Sequence, residues 1–444
     1  MESCCIDKPR ARPFSSRCNG LPSKEYFSTP SSLFRLHYQC LKLYLLIRAP
    51  DSSSAKERFN NEGFIEDKVF PVPGDIACDS LGISSELKDQ MCREIDIIVN
   101  SAATTRFDER YDTAISVNVL GAMHVLKFSK QCSKLKMLLH VSTAYVCGEK
   151  EGLILEKPLN YGETLNGSSH LDIQAEQKLA RLHGWPNTYS FTKAMGEMLL
   201  GHMKEDLQLI ILRPTIILST YKEPFPGWIE GSRTTDTFIV GYGKGKQKVA
   251  MGGRETVADV VFIAAMVAHR NPSSHTVVYH IGSSRRNQFK LGDLMRIGVD
   301  YFKKNPWIDK RGKPVKVKKF HLLDSMASLH KYIEIHYMPS LKILKWANLI
   351  FCQHLQAQHT NLQRRINHAI RLAELYKPYV LSKEFSMIPM LKCYNLKQEK
   401  VMQMIHLILI QQPSSGKNTS RKFIFLVSKF KYIFLKQNYV NKGG

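Results

Sequence analysis

Nowhere in these 444 residues does an apolar run reach the roughly 18 residues that a membrane-spanning helix requires; the stretch Val260 to Ala268 is far too short. A spanning helix among these residues is therefore excluded. The cysteines form no C-x-x-C pair. All ten are scattered and only Cys4 and Cys5 lie close together, which argues against a structural zinc site or any other bound metal. Free thiols in a reducing compartment are expected instead. The first 40 residues hold a single glycine, Gly20, and no apolar signal-peptide core. Their Ser- and Arg-rich composition resembles that of a transit peptide, and without helical or strand periodicity they read as irregular or disordered.

Acidic residues are also scarce. Sixty-three Lys and Arg stand against 39 Asp and Glu, a formal charge of +24. That balance suits an anionic partner: a nucleic acid, a membrane surface or a phosphorylated ligand. From Leu391 to Gly444 there are ten basic residues and one Glu, and Lys303 to Lys319 carries eight basic residues around Asp309. A solvated basic face and tail explain both clusters as well as a function does. No recognisable nucleic-acid module accompanies the charge, so no nucleic-acid partner is expected.

What is present is a strand and helix alternation. Leu41 to Ile47, Val69 to Val72, Ile95 to Val99, Met137 to Val141 and Leu207 to Leu212 are near-continuous apolar runs. Helical stretches, among them Ala114 to Cys132 and Tyr189 to Lys204, lie between them. Such runs mean strands buried on both faces, hence an α/β fold with a Rossmann-like, doubly wound parallel sheet. Ligands of such sheets lie beyond the carboxyl ends of the strands, so the residues just after each run come first. From His321 to Leu381 the pattern turns helical, predicting a smaller second domain behind a basic connector at 301–320; past Ser382 no organisation is legible. The expected divisions are 1–40, 41–300, 301–320, 321–382 and a divergent basic tail, 383–444.

The chemistry concentrates at Tyr189-Ser190-Phe191-Thr192-Lys193. Tyr and Lys four apart share a helix face, and an ammonium beside a phenol favours phenolate, which predicts a lowered Tyr189 pKa and a general acid for a carbonyl. Alone, this spacing is common in amphipathic helices. Upstream, the run ending at Val141 leads into Ser142-Thr143-Ala144-Tyr145, placing hydroxyls at a strand end. Asn100-Ser101-Ala102-Ala103 follows another run, where small residues let backbone approach a nucleotide, and Asn118 sits on the next helix.

In this order the pieces resemble the extended short-chain dehydrogenases and reductases. The resemblance implies Thr143, Tyr189 and Lys193 as catalytic residues with Asn118 in support; Thr143 is preferred to Ser142 for its spacing to Gly148. It implies Gly74 and Asp75 at the adenine, and Asn100, Ala102 and Ala103 along the cofactor. Arg48, directly after a strand, matches a residue that pairs with a 2′-phosphate and so implies NADPH. Further motifs, Ala103 to Glu109, Gly184 to Tyr189, Leu212-Arg213-Pro214-Thr215, Glu223 to Gly231 and Tyr242 to Gly245, narrow the match to the plant, male-sterility branch of the alcohol-forming fatty acyl-CoA reductases. Arg213, Pro214 and Thr215 thereby join the cofactor set. The implied activity is two-step reduction of a fatty acyl-CoA to a primary alcohol in lipid or wax metabolism. The implied location is intracellular, at the cytoplasmic face of the endoplasmic reticulum, with the plastid as alternative.

The chain departs from that family where T-G-x-x-G should follow the first strand. Leu41 to Ile47 resembles the family's second strand, so the central strand and its pyrophosphate loop are expected to be missing and their neighbours unpaired. Gly241 to Lys246 is glycine-dense but fits neither nucleotide-loop spacing. Weak NADPH binding and little turnover are expected as a result. A non-catalytic acyl-CoA-binding relative and a basic surface-binding protein are the competing readings. Arg421 to Lys436, which mixes aromatic, aliphatic and basic residues, is expected to attach weakly to anionic membranes.

Overall fold

The computed structural model describes residues 40–60, 69–148, 152–165, 184–215, 234–245, 249–251, 257–258, 275–281, 289–309, 311–318, 320–351, 354–380, 385–387 and 421–426. The expectations for residues 1–39, for Glu223 to Gly231 and for most of the segment past Ser382 lie outside these described residues.

The main sheet has seven strands, all parallel, numbered here in chain order: β1 (Cys40–Ile47), β2 (Val69–Pro73), β3 (Ile97–Asn100), β4 (Met137–Val141), β5 (Leu209–Pro214), β6 (Val277–Ile281) and β7 (Arg421–Leu426). Their order across the sheet is β2-β1-β7-β3-β4-β5-β6. β2 carries Pro71 and Pro73, which cannot donate to a ladder, and it accordingly lies at the edge. β3, β4 and β5 are buried almost throughout, as their unbroken apolar runs require. Alternate residues serve opposite faces. Tyr44, Leu46, Ile98, Leu138 and Ile211 join one core cluster, while Leu43, Ile97, Val99, Leu139 and Ile210 join another.

The centre of the sheet overturns one expectation. β7 lies between β1 and β3, pairing Leu43 to Leu46 with Phe423 to Leu426 on one side and Ile97 to Asn100 with the same four residues on the other. The central position is filled, and its neighbours are not left unpaired. Nor is the segment past Ser382 a mere tail, since Phe385–Met387 also pairs with Gly152–Ile154. The reason is that a vacancy between two parallel strands presents unmet N–H and C=O groups on both sides. Lys422-Phe423-Ile424-Phe425-Leu426 is an apolar, strand-forming run able to meet them. The same placement removes Arg421 to Leu426 from the proposed membrane-binding tail.

Of the helices, α1 (Ser52–Asn60) follows β1, and α2 (Ser85–Glu94) and α3 (Gly121–Gln131) cover the first core cluster with Met91, Val125, Leu126 and Phe128. α4 (Thr188–Met203) is buried along most of its length. The later helical unit comprises α5 (Met326–His336), α6 (Met338–Ile350) and α7 (Gln356–Val380), packed around Leu329, Ile333, Leu341, Ile366 and Ala373.

Candidate active site

The first turn of α4 is held from both sides. The Asn187 side chain caps it, accepting from Ser190 N at 3.0 Å, and its amide donates to the Tyr379 hydroxyl on α7. Trp185, immediately before, is 1% exposed and donates to Val146 O at 2.9 Å. This fastens the start of α4 to the loop after β4, which carries Thr143. One turn separates Tyr189 from Lys193, so both face that loop.

Thr143 is 3% exposed; its hydroxyl accepts from Tyr145 N at 3.3 Å and is hydrogen-bonded to the Tyr189 phenol. Ser142, its neighbour, is buried with an unpartnered hydroxyl, its own N–H donating to Leu212 O at 2.7 Å. Tyr189 keeps part of its surface open, yet it is enclosed closely enough that desolvation raises the phenol to about 12, against the opposing pull of Thr143. The lowering that the sequence led us to expect from Lys193 is not found. The ammonium is directed elsewhere, donating to Val141 O at 2.8 Å and lying 3.2 Å from His140 Nε2. Burial lowers the Lys193 pKa to about 8, with Glu197 acting against it. Tyr189 is therefore a fully protonated acid at neutral pH, and Lys193 is a cation that titrates only slightly above it.

His140 was not singled out from the sequence. It is 1% exposed, and burial followed by the charge of Lys193 holds its pKa well below the ordinary value, so the ring is neutral. An ammonium can only donate, so Nε2 must accept and the ring proton belongs on Nδ1. Nδ1 lies 3.2 Å from Asn100 Nδ2, which cannot accept that proton; turning the amide end for end brings Oδ1, otherwise buried without a partner, to the ring as the acceptor. Lys193, His140 and Asn100 thus form a buried polar line across adjacent strands β4 and β3.

Asn118 lies in a π turn, Ser116–Leu120, just before α3. Its side chain accepts from Thr104 N at 3.0 Å and donates to Thr104 O at 3.2 Å and Thr192 Oγ1 at 3.0 Å. It touches neither Tyr189 nor Lys193 through these bonds; it ties the 104 loop to α4. Gly196 permits that approach, because a Cβ there would lie 2.5 Å from Asn118 O.

Aromatic side chains that had no role assigned from residue order close the site. Phe107 stacks on Tyr189 at 5.6 Å and meets Tyr376 and Tyr379 of α7 at 5.1 and 5.0 Å; Tyr145 meets Tyr379 edge-on at 4.7 Å. The exposed pair Arg371–Asp108, at 2.9 Å, joins α7 to the same loop. The helical unit therefore walls Tyr189 with aromatic rings.

At the far end of the crevice, Arg48 Nε lies 2.6 Å from Asp75 Oδ2, joining the ends of β1 and β2, and Asp75 also accepts from Ala77 N at 3.0 Å. A Cβ on Gly74 would meet Leu81 O at 2.5 Å and Leu46 Cδ1 at 2.7 Å, so this glycine shapes the turn that presents Asp75. Asn100 and Ala102 are buried at the end of β3, and Ala103 is half-buried beside them. Arg213 is committed inside the fold, with Nη2 2.6 Å from Glu197 Oε2. Pro214 ends β5, and Thr215 N donates to Ile281 O at 3.1 Å. Arg48 and Asp75 thus stand at one end of this rim, and Thr143, Tyr189 and Lys193 at the other. In the sequence, Leu426 is followed by Val427-Ser428-Lys429-Phe430, which holds none of the glycines that a pyrophosphate cradle uses.

Residues 31–269 match the family described as male sterility protein. Fatty acyl-CoA reductase 1 of Arabidopsis thaliana is 42% identical over 407 residues, covering 79% of this chain and 83% of its own length. The alcohol-forming fatty acyl-CoA reductase of Simmondsia chinensis is 43% identical over 397 residues, covering 76% and 80%. Among solved structures, the terminal R domain from the myxalamid PKS-NRPS biosynthetic pathway is 15% identical, with a TM-score of 0.49, over 85% of this chain and 87% of that one.

Proposed function

Starting from the fact that the chain belongs to the male sterility protein family, we propose that it is a fatty acyl-CoA reductase that carries its substrate through to the primary alcohol with NADPH. The observation that carries this reading is the meeting of Thr143, Tyr189 and Lys193 where β4 and α4 converge, beneath an aromatic wall suited to an alkyl chain. NADPH would supply hydride to the carbonyl carbon, twice per alcohol formed. Thr143 and Tyr189 hydrogen-bond the carbonyl oxygen, and Lys193, donating to Val141 O and facing His140, fixes the strand end that presents Thr143. In the first reduction that oxyanion collapses, the C–S bond breaks and CoA leaves as thiolate. In the second, Tyr189 passes its proton to the alkoxide, and the phenolate is reprotonated from solvent.

Arg48 and Asp75 would receive the adenosine end. Arg48→Ala is expected to weaken NADPH binding by about 1.5–3 kcal/mol, the scale of a charge-assisted hydrogen bond, and to leave NADH almost untouched. Equal losses for the two cofactors would mean that Arg48 only holds Asp75.

The pyrophosphate carries two negative charges, met in this fold by backbone amides of a glycine loop and the helix dipole behind it. Titration of the purified chain with NADPH should therefore show weak binding, and incubation with a long-chain acyl-CoA should give only traces of alcohol. Because β7 takes the central position, placing T-G-x-x-G directly after Leu426 is expected to raise both NADPH affinity and alcohol formation. Micromolar affinity in the unaltered chain would show that other residues cradle the phosphates. Sound NADPH and acyl-CoA binding without alcohol, even in the altered chain, would favour an acyl-CoA-binding relative.

We further propose peripheral attachment to a membrane, at the cytoplasmic face of the endoplasmic reticulum, with the plastid as alternative. Its support is the charge of +24 and the amphiphilic substrate. The exposed lysines between Lys303 and Lys318 would attract the phosphates of CoA.

A further inference from the structure

Helix α6 is built inside out. Leu341 and Asn348 face α5 and α7 and are buried. The opposite side of a surface helix should be polar. Here Ile343, Trp346 and Ile350, spaced three and four residues apart, are 67%, 67% and 73% exposed, with Leu349 and Phe351 at the rim. Isolated exposed apolar residues are unremarkable, but five within nine positions on one helix and its end form a patch that marks an interaction site.

The charge around the patch is of one sign. Lys342 and Lys345 are exposed on α6, and from Ile335 to Ala373 the chain contains no Asp or Glu, while the exposed Arg364 and Arg365 continue the basic character. A protein partner would bring mixed charges to such a rim. An anionic lipid leaflet offers an apolar layer beneath a continuous negative surface, which matches an apolar ridge with a Trp and flanking lysines. Among the described residues no helix is long and apolar enough to cross a membrane, so the contact would lie in the interface plane.

We propose that α6 is the membrane-docking element of this chain: Ile343, Trp346 and Ile350 enter the headgroup boundary of an anionic leaflet while Lys342 and Lys345 pair with its phosphates and carboxylates. This gives a place to the membrane attachment proposed above and rests on it. It also accounts for the route of the substrate, since α7, packed on α6, carries Tyr376 and Tyr379 to the wall beside Tyr189. A leaflet seated on α6 would deliver an acyl chain to the unit that closes the site.

The test is co-sedimentation of the full chain with phosphatidylcholine vesicles with and without phosphatidylserine, alongside two double variants, Trp346→Ser with Ile350→Ser and Lys342→Glu with Lys345→Glu. Binding is expected only with phosphatidylserine, to weaken with added salt, and to fall at least tenfold in each variant. Neither pair is buried, so thermal midpoints should not move. Binding that both variants retain would overturn α6 as the docking element and leave membrane attachment standing. No binding by the unaltered chain would overturn both. A concentration-dependent dimer that the Trp346→Ser, Ile350→Ser variant abolishes, without vesicle binding, would assign the face to a second copy of the chain. None of these readouts depends on turnover, so a failure of the reductase reading would be seen separately.

Discussion

A chain lacking residues 411–444 is expected not to fold cooperatively. β7 contributes ladders to β1 and β3 at once, and its removal leaves the backbone groups of Leu43 to Leu46 and Ile97 to Asn100 facing an empty lane. A buried N–H or C=O without a partner costs about 1–3 kcal/mol. A handful of them exceeds the roughly 5–15 kcal/mol that holds a typical domain together. Ile424→Pro is a milder probe. It deletes one donor from the middle of the strand and should cost about 3 kcal/mol or more, lowering the melting midpoint by roughly 6–12 °C. Circular dichroism on the two variants checks this. An unchanged melt in the truncated chain would mean that Arg421 to Leu426 does not hold the sheet together.

Tyr189→Phe should lower turnover about a hundredfold or more while leaving NADPH affinity nearly unchanged, because the phenol acts on the reacting oxygen and not on the adenosine end. The comparison is made in the version carrying T-G-x-x-G after Leu426, where turnover is measurable. Unaltered turnover would remove Tyr189 from its role. The pH profile adds a second measure. Tyr189, raised to about 12, stays protonated throughout the working range, so the first group to titrate on the alkaline side is Lys193 at about 8. Turnover should fall as pH rises through about 8, as the ammonium that holds Val141 O and His140 behind Thr143 is lost. Stability should move the other way. The folded chain holds this proton less tightly than the unfolded one, whose value is the ordinary 10.5, so the cost of burying Lys193 is present below pH 8 and disappears as pH rises toward 10.5.

Several parts of the site are legible in residue order because they depend on local geometry. Tyr189 and Lys193 share a helix face by spacing alone, and Thr143 stands at a strand end because an apolar run stops at Val141. Other parts depend on which strands become neighbours. His140 reads as one more residue of a buried strand until β3 puts Asn100 beside it and α4 puts Lys193 across from it. Tyr376 and Tyr379 read as core positions of an amphipathic helix; only the docking of α7 on the 107 loop brings them to Tyr189. Arg213 stands in a recognisable motif, yet its guanidinium is held by Glu197 inside the fold.

By itself the sequence determined the class of fold, since strands buried on both faces and separated by helices can only be covered as a parallel sheet. It also determined that Tyr189 and Lys193 share a face of α4, which needs nothing beyond the pitch of a helix, and that no T-G-x-x-G motif stands in the chain, which is a matter of residue order. The tertiary structure alone decided what stands at the centre of the sheet. Arg421 to Leu426 lies more than 300 residues from the strands it joins, and no local pattern announces a partner at that distance. It likewise decided that α6 turns an apolar ridge outward, because a stripe of Ile, Trp and Leu at helical spacing looks the same in sequence whether it meets a core or the surroundings. The backbone's demand for paired hydrogen bonds settled the first, and the packing of α6 on α5 and α7 through Leu341 settled the second.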